Sequence, residues 1–313
     1  MILLLQYTIL FASVLCLVAL GGCFAEHSGI INLGLEGIMV MGALGGALTM
    51  SKLDPSTPAI VIILLTTLAA VVLGMIYSTL LAIAAIHFNA NQTLVGTAMN
   101  MLATAAATVY VRAMNSRISP DNVSTSVQYF DQKKAFIKYF GSFEFNWFMV
   151  MAVVLLIASY ILLYKTRFGL RLQACGENPQ AADSVGISVY KMRWAGVLIS
   201  GFLGGLGGIV YITAGVSEWK FDVGVAGFGF LALAVMIFGQ WKPHRIAISA
   251  LLFGFFRALS NVYTGFPFLA NLNIPSTVYN MLPYIICLII LTLTSKNSRA
   301  PKAEGIPYDK GSR

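Results

Sequence analysis

Charge is what this sequence has least of. Lys and Arg number 20 and Asp and Glu 12 in 313 residues, so 10 % of the chain is charged, whereas a soluble globular domain carries about 25 %. That deficit excludes an ordinary water-facing surface, and the few charges fall in clusters. Cysteine is scarce too: Cys16, Cys23 and Cys287 lie in apolar runs and Cys175 in a basic loop. No close pair among them suggests a disulfide framework or a zinc site, and they read as small apolar fillers. There is no Gly-x-x-x-x-Gly-Lys-Ser/Thr run to cradle nucleotide phosphates, no His/Cys cluster for a metal and no nucleophile elbow. The chain is therefore expected not to be an enzyme and to need no cofactor. Leu20-Gly21-Gly22-Cys23 faintly resembles a lipoprotein cleavage site, but no Lys or Arg precedes it. A signal peptide needs a basic start, so a retained first span is expected.

What the sequence has in abundance is hydrophobic length. Apolar residues make up 58 % of it, in runs of about 20 residues, enough to cross a bilayer as helix. The expected fold is an all-α integral membrane protein in which backbone amides are satisfied within helices. About nine spans are read by this length criterion: Ile2 to Cys23, Ile30 to Met50, Pro58 to Ile86, Gln92 to Val111, Trp147 to Tyr164, Trp194 to Ala214, Val225 to Gly239, Ile246 to Val262 and Val278 to Thr294. The stretch from Val225 is short and can be read as partly re-entrant. Residues 1–295 then form the membrane domain and 296–313 a tail.

The net charge of +8 sits in loops beside spans. No basic patch interleaved with aromatics suggests nucleic acid. Twelve basic residues fall on one side: Lys165, Arg167, Arg171, Lys191, Arg193, Lys242, Arg245, Lys296, Arg299, Lys302, Lys310 and Arg313. Seven fall on the other: Lys52, Arg112, Arg117, Lys133, Lys134, Lys138 and Lys220. The positive-inside bias makes the first side cytoplasmic, with the N-terminus outside and the C-terminus inside, against anionic lipid. Residues 115–146 are then an external loop, either a dock for an external partner or a plain solvated connection.

Residues 165–193 form the most informative cytoplasmic loop. Asn178 is suited to cap a helix and Pro179 to begin it, and Gly186 to end it about two turns later. A short helix between spans, flanked by basic residues, suits a groove on a cytoplasmic partner. Glu36 is an ionisable residue inside an apolar run, and such groups are costly and usually functional or paired. Two readings stand: with Asn32 it lines an inner gate, or it caps a helix start near the head groups. Arg257 is the one internal cation, expected to snorkel outward past Val262. Two glycine clusters, one from Gly34 to Gly46 and one from Gly201 to Gly208, point to close helix approach. Asn91, Gln92, Thr97, Asn100 and Phe228 are candidate substrate contacts, since a sugar or nucleoside needs amide and hydroxyl partners and a flat face.

The run from Thr166-Arg-Phe-Gly-Leu-Arg171 through Cys175-Gly-Glu-Asn-Pro-Gln-Ala-Ala182 to Gly186-Ile187 resembles the cytoplasmic coupling segment of a permease family. That family belongs to ATP-binding-cassette importers of ribose-type sugars, branched-chain amino acids and nucleosides. Ser28-Gly-Ile-Ile-Asn-Leu-Gly-Leu-Glu-Gly37 is similar to its second signature. Met236-Ile-Phe-Gly-Gln-Trp-Lys-Pro243 and the tail from Ala300 to Arg313 resemble the nucleoside and simple-sugar branch. The resemblance implies alternating access driven by a separate ATPase subunit, a second permease subunit in a heterodimer, and an extracytoplasmic substrate-binding protein, in a bacterial plasma membrane. It also implies that Arg171, Gly176, Glu177, Asn178, Pro179, Ala181, Ala182 and Gly186 meet the ATPase. Glu36 with Asn32, and Asn91, Asn100 and Phe228, are then expected along the translocation path. The rival reading is an ion-coupled secondary transporter, for which Glu36 alone qualifies as an intramembrane carboxylate.

Overall fold

The computed structural model describes residues 2–140, 143–214, 218–266, 275–294 and 299–310. In chain order the helices are α1 (Ile2–His27), α2 (Leu35–Lys52), α3 (Ala59–Ala82), α4 (Gln92–Ile118), α5 (Phe130–Lys133), α6 (Trp147–Lys165), α7 (Arg167–Glu177), α8 (Pro179–Ser184), α9 (Val189–Thr213), α10 (Phe228–Phe238), α11 (Pro243–Val262) and α12 (Ser276–Thr294). Helices occupy the stretches read as spans. Among the described residues, those long and apolar enough to cross a membrane are α1, α3 with its extension to His87, α4, α6, α9 and α11. The chain is thus a multi-pass membrane protein. α2 begins at Leu35 rather than Ile30, because Ser28 to Gly34 turns before the helix starts.

α1 and α9 form the centre. α1 has apolar residues on every side and is buried almost without a break from Leu10 to Glu26. A helix without a polar face cannot settle at a water boundary and is stable where other helices surround it. It packs against α6, α9, α10 and α11, while α2 and α3 close on α9 from the other side. The two glycine clusters meet each other here. A methyl group added at Gly42 would come within 2.5 Å of the Gly205 backbone, and one at Gly74 within 2.7 Å of the Gly205 Cα. Apolar side chains gain little by leaving lipid for protein, so helices associate through close backbone packing. Gly205 of α9 provides it for α2 and α3 together. The outer helices α3, α4 and α6 leave large apolar side chains exposed, among them Leu64, Leu68, Met101, Val153 and Ile157.

The 115–146 segment is an ordered cap rather than a plain connection. Its strand β1 (Ser126–Gln128) pairs antiparallel with β4 (Glu218–Lys220). A hairpin of β2 (Ile137–Phe140) and β3 (Phe143–Asn146) follows, in register from Ile137 opposite Asn146. Phe136 stacks on Phe148 of α6 at 5.1 Å, and the Tyr129 hydroxyl donates to the Ile212 carbonyl at 3.0 Å. The cap is thereby anchored on both α6 and α9.

Gly205→Val should disrupt the triple crossing at a cost of about 1–3 kcal/mol, the usual penalty of overpacking. The check is the thermal midpoint of the detergent-purified protein. Gly265→Val should leave it nearly unchanged, since among the described residues an added methyl there meets nothing closer than Val262 at 3.7 Å. Equal midpoints for the two variants would contradict the packing account.

Candidate translocation groove and coupling segment

α10 is a half-helix, and its beginning organises one site. Before it the backbone takes left-handed conformations at Gly224, Ala226 and Gly227, so the helix starts abruptly at Phe228. Its first N–H groups have no partners of their own. Glu36, in the first turn of α2, supplies them: Oε1 accepts from the Gly227 N–H at 2.8 Å and Oε2 from the Gly229 N–H at 2.6 Å. A carboxylate at a helix N-terminus is stabilised by both the hydrogen bonds and the dipole. Ala226 is the non-glycine residue in this turn, with φ of 52°, and the Tyr284 hydroxyl donates to its carbonyl at 3.1 Å.

Arg257 takes a different course from the one expected. It turns inward, its guanidinium 5.3 Å from the Phe228 ring centre and within electrostatic reach of the Tyr211 hydroxyl. The face of an aromatic ring attracts a cation where water is scarce, which replaces the gain from reaching the head groups. No ion pair joins Arg257 to Glu36 among the described residues.

Beside this cap lies a groove of about 790 Å³ lined by Glu36, Thr97, Asn100, Thr104, Thr108, Asp222 and Phe230, with Met101, Ala105 and Val109. Thr97, Thr104 and Thr108 share one face of α4 at helical spacing. The helix is otherwise strongly exposed here: Met101 is 76 % and Val109 68 % accessible. The groove is walled on one side by this chain and open on the other.

Of the expected path residues, Glu36 and Asn100 reach the groove. Asn100 also clamps α4 to the start of α2, donating to the Leu33 carbonyl at 2.9 Å and accepting from the Gly37 N–H at 2.8 Å. The other three lie elsewhere. Asn32 is fully buried, donating to the Ser200 hydroxyl at 2.8 Å and accepting from the Gly34 N–H at 3.1 Å. Asn91 caps α4 through the Leu94 N–H at 3.1 Å. Phe228 is buried in the core, 5.6 Å from Phe11 and 4.5 Å from Tyr211 between ring centres. Gln92, also a candidate contact, is buried and accepts from the Ile31 N–H at 2.7 Å. Thr104, Thr108 and Asp222 were not among the expected residues. The threonine spacing on α4 was the readable signal.

At the opposite end of the molecule from the β1–β4 cap, α7 and α8 form the candidate coupling segment. Asn178 Oδ1 accepts from the Ala181 N–H at 3.0 Å, and Pro179 is the first residue of α8. Gly186 has φ of +84° and ends the turn, with the Ile187 N–H donating back to the Ala182 carbonyl at 3.0 Å. A left-handed residue here is the usual helix stop, and glycine adopts it without strain. α7 was not expected; Thr166 starts it by accepting from the Gly169 N–H at 3.2 Å. Arg171, Glu177, Asn178, Ala181 and Gly186 lie on the exposed side, with Pro179 half-buried. Gly176 and Ala182 face inward, Gly176 against the end of α1 and Ala182 against Cys175, Val189 and Tyr308. Burial pushes the Cys175 thiol up to about 11, consistent with an inert filler. No group of His, Cys, Asp and Glu among the described residues could hold a metal.

Comparison with known proteins places these features. The chain is 39 % identical to the guanosine ABC transporter permease protein NupQ of Bacillus subtilis, over 98 % of this chain and 96 % of that one. It is 37 % identical to the nucleoside ABC transporter permease protein NupC of Lactococcus lactis, over 96 % and 95 %. A putative glucose ABC transporter permease protein, TsgC13 of Haloferax volcanii, is 29 % identical over 82 % and 76 %. The family model described as the permease component of branched-chain amino acid transport systems matches residues 4–291, and the chain belongs to that family.

Proposed function

We propose that this chain is the membrane-spanning permease subunit of an ATP-driven importer of nucleosides, working by alternating access. The observation that carries the reading is similarity along nearly the whole chain to relatives whose names state guanosine and nucleoside transport. The more distant sugar relative fits the same groove, because a nucleoside also carries a sugar whose hydroxyls need hydrogen-bond partners. Hydrolysis of ATP belongs to a separate subunit, which meets the exposed face of α7 and α8. The basic loops set that end in the cytoplasm, with the N-terminus outside. Together with the helices from α1 to α12, this supports about nine spans in a bacterial plasma membrane. A second permease subunit, as a heterodimer, covers the exposed face of α4 and completes the groove. An extracytoplasmic binding protein delivers substrate at the β1–β4 cap.

The groove chemistry suits a neutral polar solute. Threonine hydroxyls and the Asn100 amide offer hydrogen bonds, Phe230 offers a ring, Asp222 and the Glu36 cap supply its acidic residues, and Met101, Ala105 and Val109 its apolar wall. Glu36 is occupied in capping α10. The ion-coupled alternative therefore loses the carboxylate it would have used.

Two measurements test the reading. Pull-down of the ATPase with the purified chain should succeed for the wild type and fail for Glu177→Arg with Ala181→Trp. Retention should fall at least about tenfold, the expected consequence of disturbing a central interface contact. A wild-type protein competent for uptake that never holds an ATPase would sink the proposal. Second, Thr104→Val with Thr108→Val should slow uptake of radiolabelled guanosine about three- to tenfold, as expected for one or two lost hydrogen bonds. Unchanged uptake at equal expression would remove the threonine face from the path.

A further inference from the structure

The coupling helices are held by a distant part of the chain. Residues 300–310 run across the ends of α1, α7, α8 and α9. The Ala303 N–H donates to the Gly176 carbonyl at the end of α7, at 2.8 Å. Two residues later, the Gly305 N–H donates to the Gly29 carbonyl, in the turn between α1 and α2, at 3.1 Å. The Ile306 carbonyl accepts from Arg193 Nη2 of α9 at 2.9 Å. Tyr308 closes the crossing. It is buried with Cys175 of α7, Ala182 of α8 and Val189 of α9, and its ring meets the edge of Tyr190 at 5.5 Å.

These contacts carry weight because the groups they join have few other partners. Arg193 is 1 % exposed, and a buried guanidinium is costly unless hydrogen-bonded. Its Nε is buried without a partner, so the Ile306 carbonyl and the Tyr308 ring, at 6.0 Å, are its support from the tail. α8 has six residues, far below the length at which a helix is stable alone. Its inward residue, Ala182, rests on Tyr308. The tail also lines, through Lys302, Ile306 and Tyr308, the same cleft of about 240 Å³ as Glu177 and Pro179.

We propose that residues 300–310, held by Arg193 as a positioning residue, form a transmission strap that locks α7 and α8 to the α1–α2 turn. The inference rests on the permease reading above. A push on α8 reaches Gly29 through the strap, and from there the Asn32–Glu36 stretch that caps α10. Without the strap, α8 yields to its partner and the groove helices stay in place.

Glu304 is the strained member of the strap. Burial pushes its carboxyl up to about 7, and one of its oxygens is buried without a partner. It stands within electrostatic reach of Glu26 at the end of α1, whose carboxylate accepts from the Trp241 indole N–H. The other titratable groups at this crossing are Arg193, His27, Glu177, Cys175, Tyr190 and Tyr308, with Lys302 and Asp309 in the adjoining cleft. Removing the Glu304 charge therefore tightens the strap, whereas removing Arg193 loosens it.

The test uses the complete assembly with ATPase and binding protein in lipid nanodiscs. Three variants are compared with wild type: Arg193→Gln, Glu304→Gln and a chain ending at Arg299. Hydrogen exchange at the Ala303 and Gly305 amides should be about tenfold faster in Arg193→Gln, matching the loss of a charged hydrogen bond. It should be slower than wild type in Glu304→Gln. The ratio of ATPase rate with loaded binding protein to the rate without it, per assembled complex, should fall toward unity in Arg193→Gln and in the shortened chain. It should be kept in Glu304→Gln. A merely stabilising tail would lower the yield of complex and leave that ratio intact. A wild-type ratio in both Arg193→Gln and the shortened chain overturns the strap. A wild-type chain that holds no ATPase overturns the permease reading instead.

Discussion

The bond between the Glu36 carboxylate and the start of α10 sets the terms for the rest of this structure. A backbone that breaks its helix within a membrane leaves N–H groups that neither lipid nor neighbouring turns can satisfy. Glu36 answers Gly227 and Gly229. Similar answers recur at the start of α2 and along α4. Asn100 satisfies Leu33 and Gly37, Asn32 satisfies Gly34, and the Tyr77 hydroxyl donates to the Met99 carbonyl at 2.6 Å. Polar residues in the spans are thus spent first on the backbone. The groove inherits what remains: threonine hydroxyls along α4, Asp222 and one ring.

That economy explains how much of the molecule could be read from its sequence. The long helices were legible because apolar length is a local property, visible in any window of about 20 residues. α8 was legible because Asn178, Pro179 and Gly186 announce its two ends within one short stretch. α7 was missed although Thr166 caps it, since its buried positions, Gly169, Leu172, Cys175 and Gly176, carry little apolar bulk. Phe228 looked like a stacking face for a solute because it begins a span with an aromatic ring. Its burial follows from where α10 sits, against α1, α2 and α11, and no local pattern shows that. Arg257 was misplaced for a related reason. Its ring partner lies 29 positions away in sequence, so spacing gives no hint that an inward aromatic face is available.

The strap was illegible for a different reason. Three of its four attachments involve backbone groups: the N–H of Ala303, the N–H of Gly305 and the carbonyl of Ile306. Side-chain patterns say nothing about where a backbone donor will go. The tail read as a basic segment on one side of the membrane that resembles the nucleoside and simple-sugar branch, and neither reading says what it touches.

α9 connects the two ends of this arrangement. It is 25 residues long, about 37 Å of helix. Arg193 lies near its first turn, Gly205 sits at the crossing with α2 and α3, and Tyr211 near its end touches Phe228 and Arg257. At the middle crossing backbone meets backbone, so α9 cannot slide past α2 without breaking contact there, and any displacement is felt by both. Close packing of this kind favours movement between a few discrete arrangements over gradual deformation. A force entering at α8 then has two routes to the α10 cap. One runs through the strap, Gly29 and α2 to Glu36, and the other through Arg193 and α9 to Tyr211. Both routes end within the same few residues, at the Glu36 cap beside the groove, so a displacement at either end of α9 reaches the groove wall at one place.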